Sequence, residues 1–66
     1  MNLFFILDQL DFEILAIETG ASAEYIELIV KEILPPNKTV LKLAKKRALT
    51  KLIEAQTNYC FKLFNN

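Results

Sequence analysis

The residues that interrupt helices constrain this chain more than any other feature of its sequence. Its 66 residues include a single glycine, Gly20, and only two prolines, the adjacent Pro35 and Pro36. On either side of these interruptions, apolar residues recur at intervals of three and four, which places them on one face of an α-helix. The sequence therefore predicts one small all-α domain over residues 1–66, with three or four helices.

The first helix is predicted over residues 11–19, because Gly20 suits the left-handed conformation that commonly ends a helix. An apolar segment at residues 3–7 precedes it. A lone strand there would have no partner in a helical chain, so we assign the segment to a helix, either separate from the first helix or continuous with it. The predicted apolar face of the first helix consists of Leu10, Ile14 and Ile17.

The second helix is predicted to begin after Ser22, whose hydroxyl can cap it, with Glu24 in the first turn where an acid suits the helix dipole. Since proline cannot continue a helix, it is predicted to extend as far as Pro35 and Pro36. Its apolar face consists of Ile26, Ile29, Val30, Ile33 and Leu34.

The third helix is predicted over about residues 40–63, with either Asn37 or Thr39 as its cap. Its predicted apolar face consists of Leu41, Ala44, Ala48, Leu52, Ala55, Tyr59 and Leu63. Aromatic residues gather near both chain ends, and we expect them to pack together in the core, although the last three could instead contact a partner. These are Phe4, Phe5, Phe12, Tyr59, Phe61 and Phe64.

Acidic and basic residues are separated along the chain, although its net charge is zero. Residues 1–30 carry six acids and no basic residue, whereas residues 31–66 carry eight basic residues and only two acids. Six of the eight basic residues lie in an acid-free segment at residues 38–51. We consider two roles for this segment: neutralising the acidic half of the chain or its dimer partner, and binding phosphate or an acidic protein surface.

Several functional classes are not expected. The chain has one cysteine, Cys60, no histidine and no glycine-rich loop, so we expect no enzyme activity, no metal site, no cofactor and no small-molecule substrate. The apolar run at residues 3–7 is too short for a signal peptide or a membrane span. The sequence therefore predicts a cytoplasmic protein that does not bind membranes.

Residues 11–30 resemble the helix-turn-helix regulators of the phage-repressor type. Ala16, Gly20, Ile26 and Ile29 occupy the positions where that family has a small residue, a glycine and two apolar residues. The resemblance implies two helices packed across a tight turn. It would also place five residues, none of them basic, in the groove of DNA: Ser22, Ala23, Glu24, Glu27 and Leu28.

Carboxylates at such positions oppose docking on phosphate, so we expect this element to bind protein rather than DNA. A shorter part of it is also similar to the helical hook of the Sin-type repressor and antirepressor pair, in which two helices build a dimer interface. That module usually has a tryptophan in its first helix, which this chain lacks. The matching residues are Ala16, Glu18, Ser22, Glu24 and Ile26.

The leading hypothesis is a small regulatory adaptor or inhibitor, antirepressor-like or phage-inhibitor-like, that contacts a protein partner or a second copy through an acidic surface. The residues assigned to that surface are Asp11, Glu18, Ser22, Glu24, Glu27 and Leu28. The alternative is a DNA-binding transcriptional regulator that uses the third helix, and a structural subunit of a larger assembly is a further possibility. The residues assigned to DNA are Lys38, Lys42, Lys45, Lys46, Arg47 and Lys51.

Overall fold

The computed structural model describes the backbone of residues 3–64 and the side chains of residues 3–57. In this part of the chain all regular structure is helical, which confirms the predicted all-α class. A 3₁₀ helix, Leu3–Ile6, is followed by α1 (Gln9–Thr19), α2 (Ala23–Val30) and α3 (Lys38–Phe64). The helices α1 and α2 pack on each other and on α3, and the 3₁₀ helix also lies against α3.

A reciprocal cap begins α1 and separates it from the 3₁₀ helix. The Asp8 carboxylate accepts a hydrogen bond from the backbone N–H of Asp11 (3.0 Å), and the Asp11 carboxylate accepts one from the N–H of Asp8 (2.8 Å). This capping box starts α1 two residues before the predicted boundary. At the other end, Gly20 has a φ of 75° and donates its N–H to the Ala16 carbonyl at 2.8 Å, as predicted for a helix-ending glycine.

The Ser22 hydroxyl caps α2 as predicted, by accepting a hydrogen bond from the N–H of Tyr25 at 3.1 Å. The prediction that α2 extends to the prolines was wrong, because it ends at Val30. Glu32 adopts the left-handed conformation with a φ of 64°, and the N–H of Ile33 donates to the carbonyl of Leu28. This is a Schellman ending in which Glu32 takes the place usually held by glycine.

The end of α2 also explains the positions of the last two residues of its predicted apolar face. Ile33 lies beyond the helix and is 65% exposed, whereas Leu34 is half-buried against the core. Because Leu34 precedes a proline, helical backbone is disfavoured at that residue. The chain therefore leaves the helix before the proline pair and turns towards α3.

The core lies between α1, α2 and the first half of α3, and it uses a face of α1 that differs from the predicted one. Leu15 and Phe12 are buried, whereas Leu10 and Ile17 are 61% and 83% exposed. The sequence of α1 is apolar on more than one side, so spacing alone did not distinguish the buried face. The buried apolar residues are Leu7, Phe12, Leu15, Ile26, Ile29, Val30, Val40, Ala44 and Ala48.

Asn37 is the cap of α3, because its side-chain oxygen accepts hydrogen bonds from the N–H groups of Thr39 (3.0 Å) and Val40 (3.2 Å). Of the predicted apolar face, Ala44 and Ala48 are buried, Leu41 and Leu52 are half-buried, and Ala55 is exposed. Ala55 lies beyond the part of α3 that α1 and α2 cover. The predicted roles of Tyr59, Cys60, Phe61, Leu63 and Phe64 lie outside the described side chains.

The aromatic residues near the N-terminus only partly follow the expectation that they form the core. Phe12 is buried and Phe4 is half-buried against the core, whereas Phe5 is 71% exposed. The expectation for Phe5 was therefore wrong, because the 3₁₀ helix directs one of its two adjacent phenylalanines away from α3.

Candidate functional site

A buried carboxylate joins the two charged halves of the chain. Asp11 is 2% exposed, and its two carboxylate oxygens accept hydrogen bonds from Arg47 Nε at 2.5 Å and Lys51 Nζ at 2.6 Å. Lys51 Nζ also donates to the backbone carbonyl of Ile6 at 3.0 Å and lies 3.5 Å from a carboxylate oxygen of Asp8. This ion cluster, formed by Asp8, Asp11, Arg47 and Lys51, holds the start of α1 and the 3₁₀ helix against α3.

Hydrogen bonding keeps the cluster ionised. Burial by itself would raise the pKa of Asp11, but hydrogen bonds from Lys51, the Asp8 backbone and Arg47 outweigh it and hold this pKa well below its usual value. The hydrogen bond to the Asp11 carboxylate raises the pKa of Lys51, against the opposing effect of burial. The cluster is therefore charged on both sides at neutral pH, and its role is to fasten the fold.

The cluster divides the six basic residues of the 38–51 segment into two groups. Arg47 and Lys51 neutralise the acidic half of the same chain, which was one of the two roles considered for this segment. The other four side chains are exposed, and in the described part of the chain none of them forms an ion pair. These lysines, called here the lysine face of α3, are Lys38, Lys42, Lys45 and Lys46.

Spacing places the lysine face on one broad side of α3. Successive members are separated by four, three and one residues, so they fall within about a third of the helix circumference. Arg47 is next to Lys46 in sequence, yet it points towards α1 and is half-buried. The six basic residues therefore form an exposed row of four and a pair of cations that face α1.

The residues assigned to an acidic protein-binding surface are also divided by the fold. Asp11 does not contribute to an exposed surface, because it is buried in the ion cluster. Glu18 and Glu24 are exposed on either side of the turn between α1 and α2. In the described part of the chain, neither forms an ion pair. Glu27 is half-buried and lies 3.6 Å from Lys31 Nζ.

The remaining two assigned residues lie on α2 or directly before it. Ser22 is exposed but its hydroxyl oxygen is used as the helix cap, and Leu28 is half-buried. We call this region the acidic face of α2; it is formed by the exposed Glu24 and the half-buried Glu27 and Leu28. The ion pair joins the exposed Lys31 to the half-buried Glu27 one helical turn away, so it stabilises the helix by only about 0.3–0.5 kcal/mol, and Glu27 can exchange Lys31 for another partner.

Two open grooves lie beside the end of α2. The sequence did not predict either of them. One, of about 450 Å³, is lined by the end of α2, both prolines, Phe4 and Leu41. The other, of about 430 Å³, lies between the 3₁₀ helix, the start of α1 and the end of α2. The first groove is lined by the residues that follow the end of α2 at Val30. No sequence signal marked that ending, because the residue in the left-handed conformation is a glutamate.

In the described residues, no three acidic, cysteine or histidine side chains come together in a way that would hold a metal ion. Within that same part of the chain, no helix combines the length and apolar character that a membrane span requires. Comparison of the chain with family models, with curated proteins and with solved structures finds no match in any of the three.

Proposed function

We propose that the protein is a small regulatory adaptor or inhibitor that docks on a basic surface of another protein through the acidic face of α2. The observation that carries this proposal is the exposed Glu24 in the first turn of α2. In this proposal α1 and α2, which are joined by the turn at residues 20–22, act as a helix-turn-helix element that presents its second helix to a partner. A carboxylate at that position favours a cationic protein surface and opposes phosphate.

Because Asp11 is buried, it cannot contribute to the docking surface, and this strengthens the assignment of docking to α2. The accessible acidic groups near α2 and the turn before it are Glu18, Glu24 and Glu27, whereas the exposed Asp8 and Glu13 lie at the cap and in the first half of α1. Leu28 supplies an apolar contact beside Glu24 and Glu27. Exposed charges guide association and specificity, whereas the apolar contact contributes affinity. The arrangement suits a partner whose surface has lysines or arginines around an apolar pocket.

The test is quantitative affinity capture from the source cells with the wild-type protein and charge variants. Glu24→Lys, alone and with Glu27→Lys, should remove the specific partner. Glu54→Lys is the matched control, because it changes the net charge equally at an exposed position on α3. If the double variant retains the same proteins as the control, α2 is not the docking surface and the proposal is wrong.

A second candidate function, DNA binding, is favoured by the lysine face of α3. Its four exposed lysines have no acidic partner in the described chain, and four phosphate contacts would weaken binding about 100-fold between 50 and 200 mM salt. An anisotropy titration with random duplex DNA measures this dependence. Neutralising Lys42, Lys45 and Lys46 to Gln should abolish binding, and these positions avoid the ion cluster. Absence of binding at 50 mM salt would contradict this candidate.

A further inference from the structure

The outer face of α1 carries apolar side chains that the described part of the chain leaves exposed. Leu10, Ile14 and Ile17 are spaced by four and three residues, so they lie in one row along the helix. Leu10 is 61% exposed, Ile17 is 83% exposed and Ile14 is half-buried. Glu18 is exposed at the end of this row. A row of exposed aliphatic residues on a helix that already buries its opposite face is typical of a helix with a second packing partner.

The outer face of α3 has a matching row. Lys46, Leu49 and Ile53 are spaced by three and four residues, and the two apolar members are 43% and 62% exposed. The spacing is the reverse of that on α1. When the two helices run antiparallel, Leu10 meets Ile53, Ile14 meets Leu49, and Ile17 meets the aliphatic stem of Lys46.

The two rows also match in length and charge. In each row the first and last residues are seven positions apart, or about 10.5 Å along the helix axis. In the antiparallel register, the ammonium group of Lys46 reaches the side of α1 that carries Glu18. Lys46 and Glu18 then form an ion pair at one end of the apolar contact. A parallel arrangement would place Lys46 opposite Leu10 and leave Glu18 opposite no lysine of the row.

We propose that the outer face of α1 packs antiparallel on the outer face of α3 of a second copy of this chain. A second copy fits because both complementary rows belong to one chain, and each α1 is already held against its own α3 by the ion cluster on a different face. A chain of 66 residues buries a limited core by itself, so covering both rows adds apolar burial that the monomer lacks. The proposal is independent of the acidic face of α2, which this contact does not use.

Mixing two charge variants gives the sharpest test, read as molar mass by sedimentation equilibrium. In Glu18→Lys alone, and in Lys46→Glu alone, every such contact brings like charges together. In an equimolar mixture, each contact between position 18 of the Glu18→Lys variant and position 46 of the Lys46→Glu variant brings opposite charges together, and so does the reciprocal contact between the unchanged Glu18 and Lys46. We expect each variant alone to associate at least tenfold more weakly than wild type, and the mixture to return to within threefold of wild type.

Two further variants separate loss of the contact from loss of the fold. Ile17→Ser changes an exposed side chain, so it should keep the helical circular dichroism spectrum but weaken association at least tenfold. Glu32→Lys, which makes the same charge change as Glu18→Lys at an exposed position after α2 and away from both rows, should associate like wild type. The proposal is overturned if wild type stays monomeric at 0.5 mM, which would leave the α1 face to a different protein. It is also overturned if the mixture associates no better than its components.

Discussion

Replacing Asp11 by asparagine tests whether the ion cluster fastens α1 to α3. Asparagine keeps the size of the side chain and one acceptor oxygen, but it removes the charge that both Arg47 and Lys51 bind. Breaking a buried ion pair by removing one partner costs about 3–5 kcal/mol. Here the two cationic side chains remain 30% and 28% exposed and can be partly rehydrated, so we expect a loss of about 2–4 kcal/mol.

That loss is large for this chain. A domain of 66 residues has a total unfolding free energy of roughly 3–10 kcal/mol, so Asp11→Asn should remove at least about a fifth of it. Urea unfolding followed by circular dichroism measures the change. With a slope of about 1 kcal/mol per molar urea, the midpoint should fall by about 2–4 M, or the variant should already be partly unfolded without urea.

Asp8→Asn is the matched control for this measurement. Asp8 belongs to the same capping box, but its side chain is 66% exposed, and asparagine caps helices about as well as aspartate. The same chemical change should therefore lower stability by less than about 0.5 kcal/mol. If the two variants lose equal stability, or if Asp11→Asn loses less than 1 kcal/mol, the cluster does not fasten the fold.

The pH dependence of the unfolding free energy is a second test of the ion cluster. The folded-state pKa of Asp11 lies below its ordinary value of 3.8. Asp11 therefore contributes its full stabilisation of the fold above pH 3.8, and this stabilisation is lost as the pH falls from 3.8 towards the folded-state pKa. Lys51 has a raised folded-state pKa, so its contribution is complete below 10.5 and is lost as pH rises through the folded value. Below pH 3.8, the unfolding free energy of Asp11→Asn should therefore depend less on pH than that of wild type.

Three other changes test individual elements of the fold by thermal and urea unfolding. Gly20→Ala should destabilise by about 1–2 kcal/mol, because alanine is strained at a φ of 75° although its methyl group meets no atom. Glu32→Gly should stabilise by up to about 1 kcal/mol by relieving the same conformation, and a loss of stability would contradict the described end of α2. Ala48→Leu should destabilise by about 1–3 kcal/mol because Ala48 is fully buried, whereas Ala55→Leu, at an exposed position on the same helix, should be nearly neutral.

The helical class and most helix boundaries followed from local signals in the sequence. Gly20, Ser22 and Asn37 act through hydrogen bonds to backbone groups within a few residues, so their effect is visible in the sequence. The early end of α2 was missed because a glutamate adopts a conformation that the sequence associates with glycine. The N-terminal boundary of α1 was missed because its cap uses two aspartates that had been counted only as charges.

The choice between the two faces of α1 depended on an interaction distant in sequence. Asp11 pairs with residues 36 and 40 positions away, and Phe12 and Leu15 are buried on the same side of α1. Spacing within α1 carries no information about that pairing, so it favoured the row of Leu10 and Ile17 instead. For the same reason, the sequence placed Asp11 in an exposed acidic surface and Arg47 in an exposed basic one.

The charges left outside the ion cluster predict how salt acts on self-association. The chain has no net charge, so nonspecific electrostatic repulsion between copies is small. Screening of that repulsion by salt therefore has little effect on association. The contact between Glu18 and Lys46 is attractive, and the screening length falls from about 10 Å at 0.1 M salt to about 3 Å at 1 M. Sedimentation equilibrium should therefore show weaker association of wild type at 1 M sodium chloride than at 0.1 M. A contact made by apolar residues alone would keep or gain strength over that range, so association that salt does not weaken would contradict the charge-matched register.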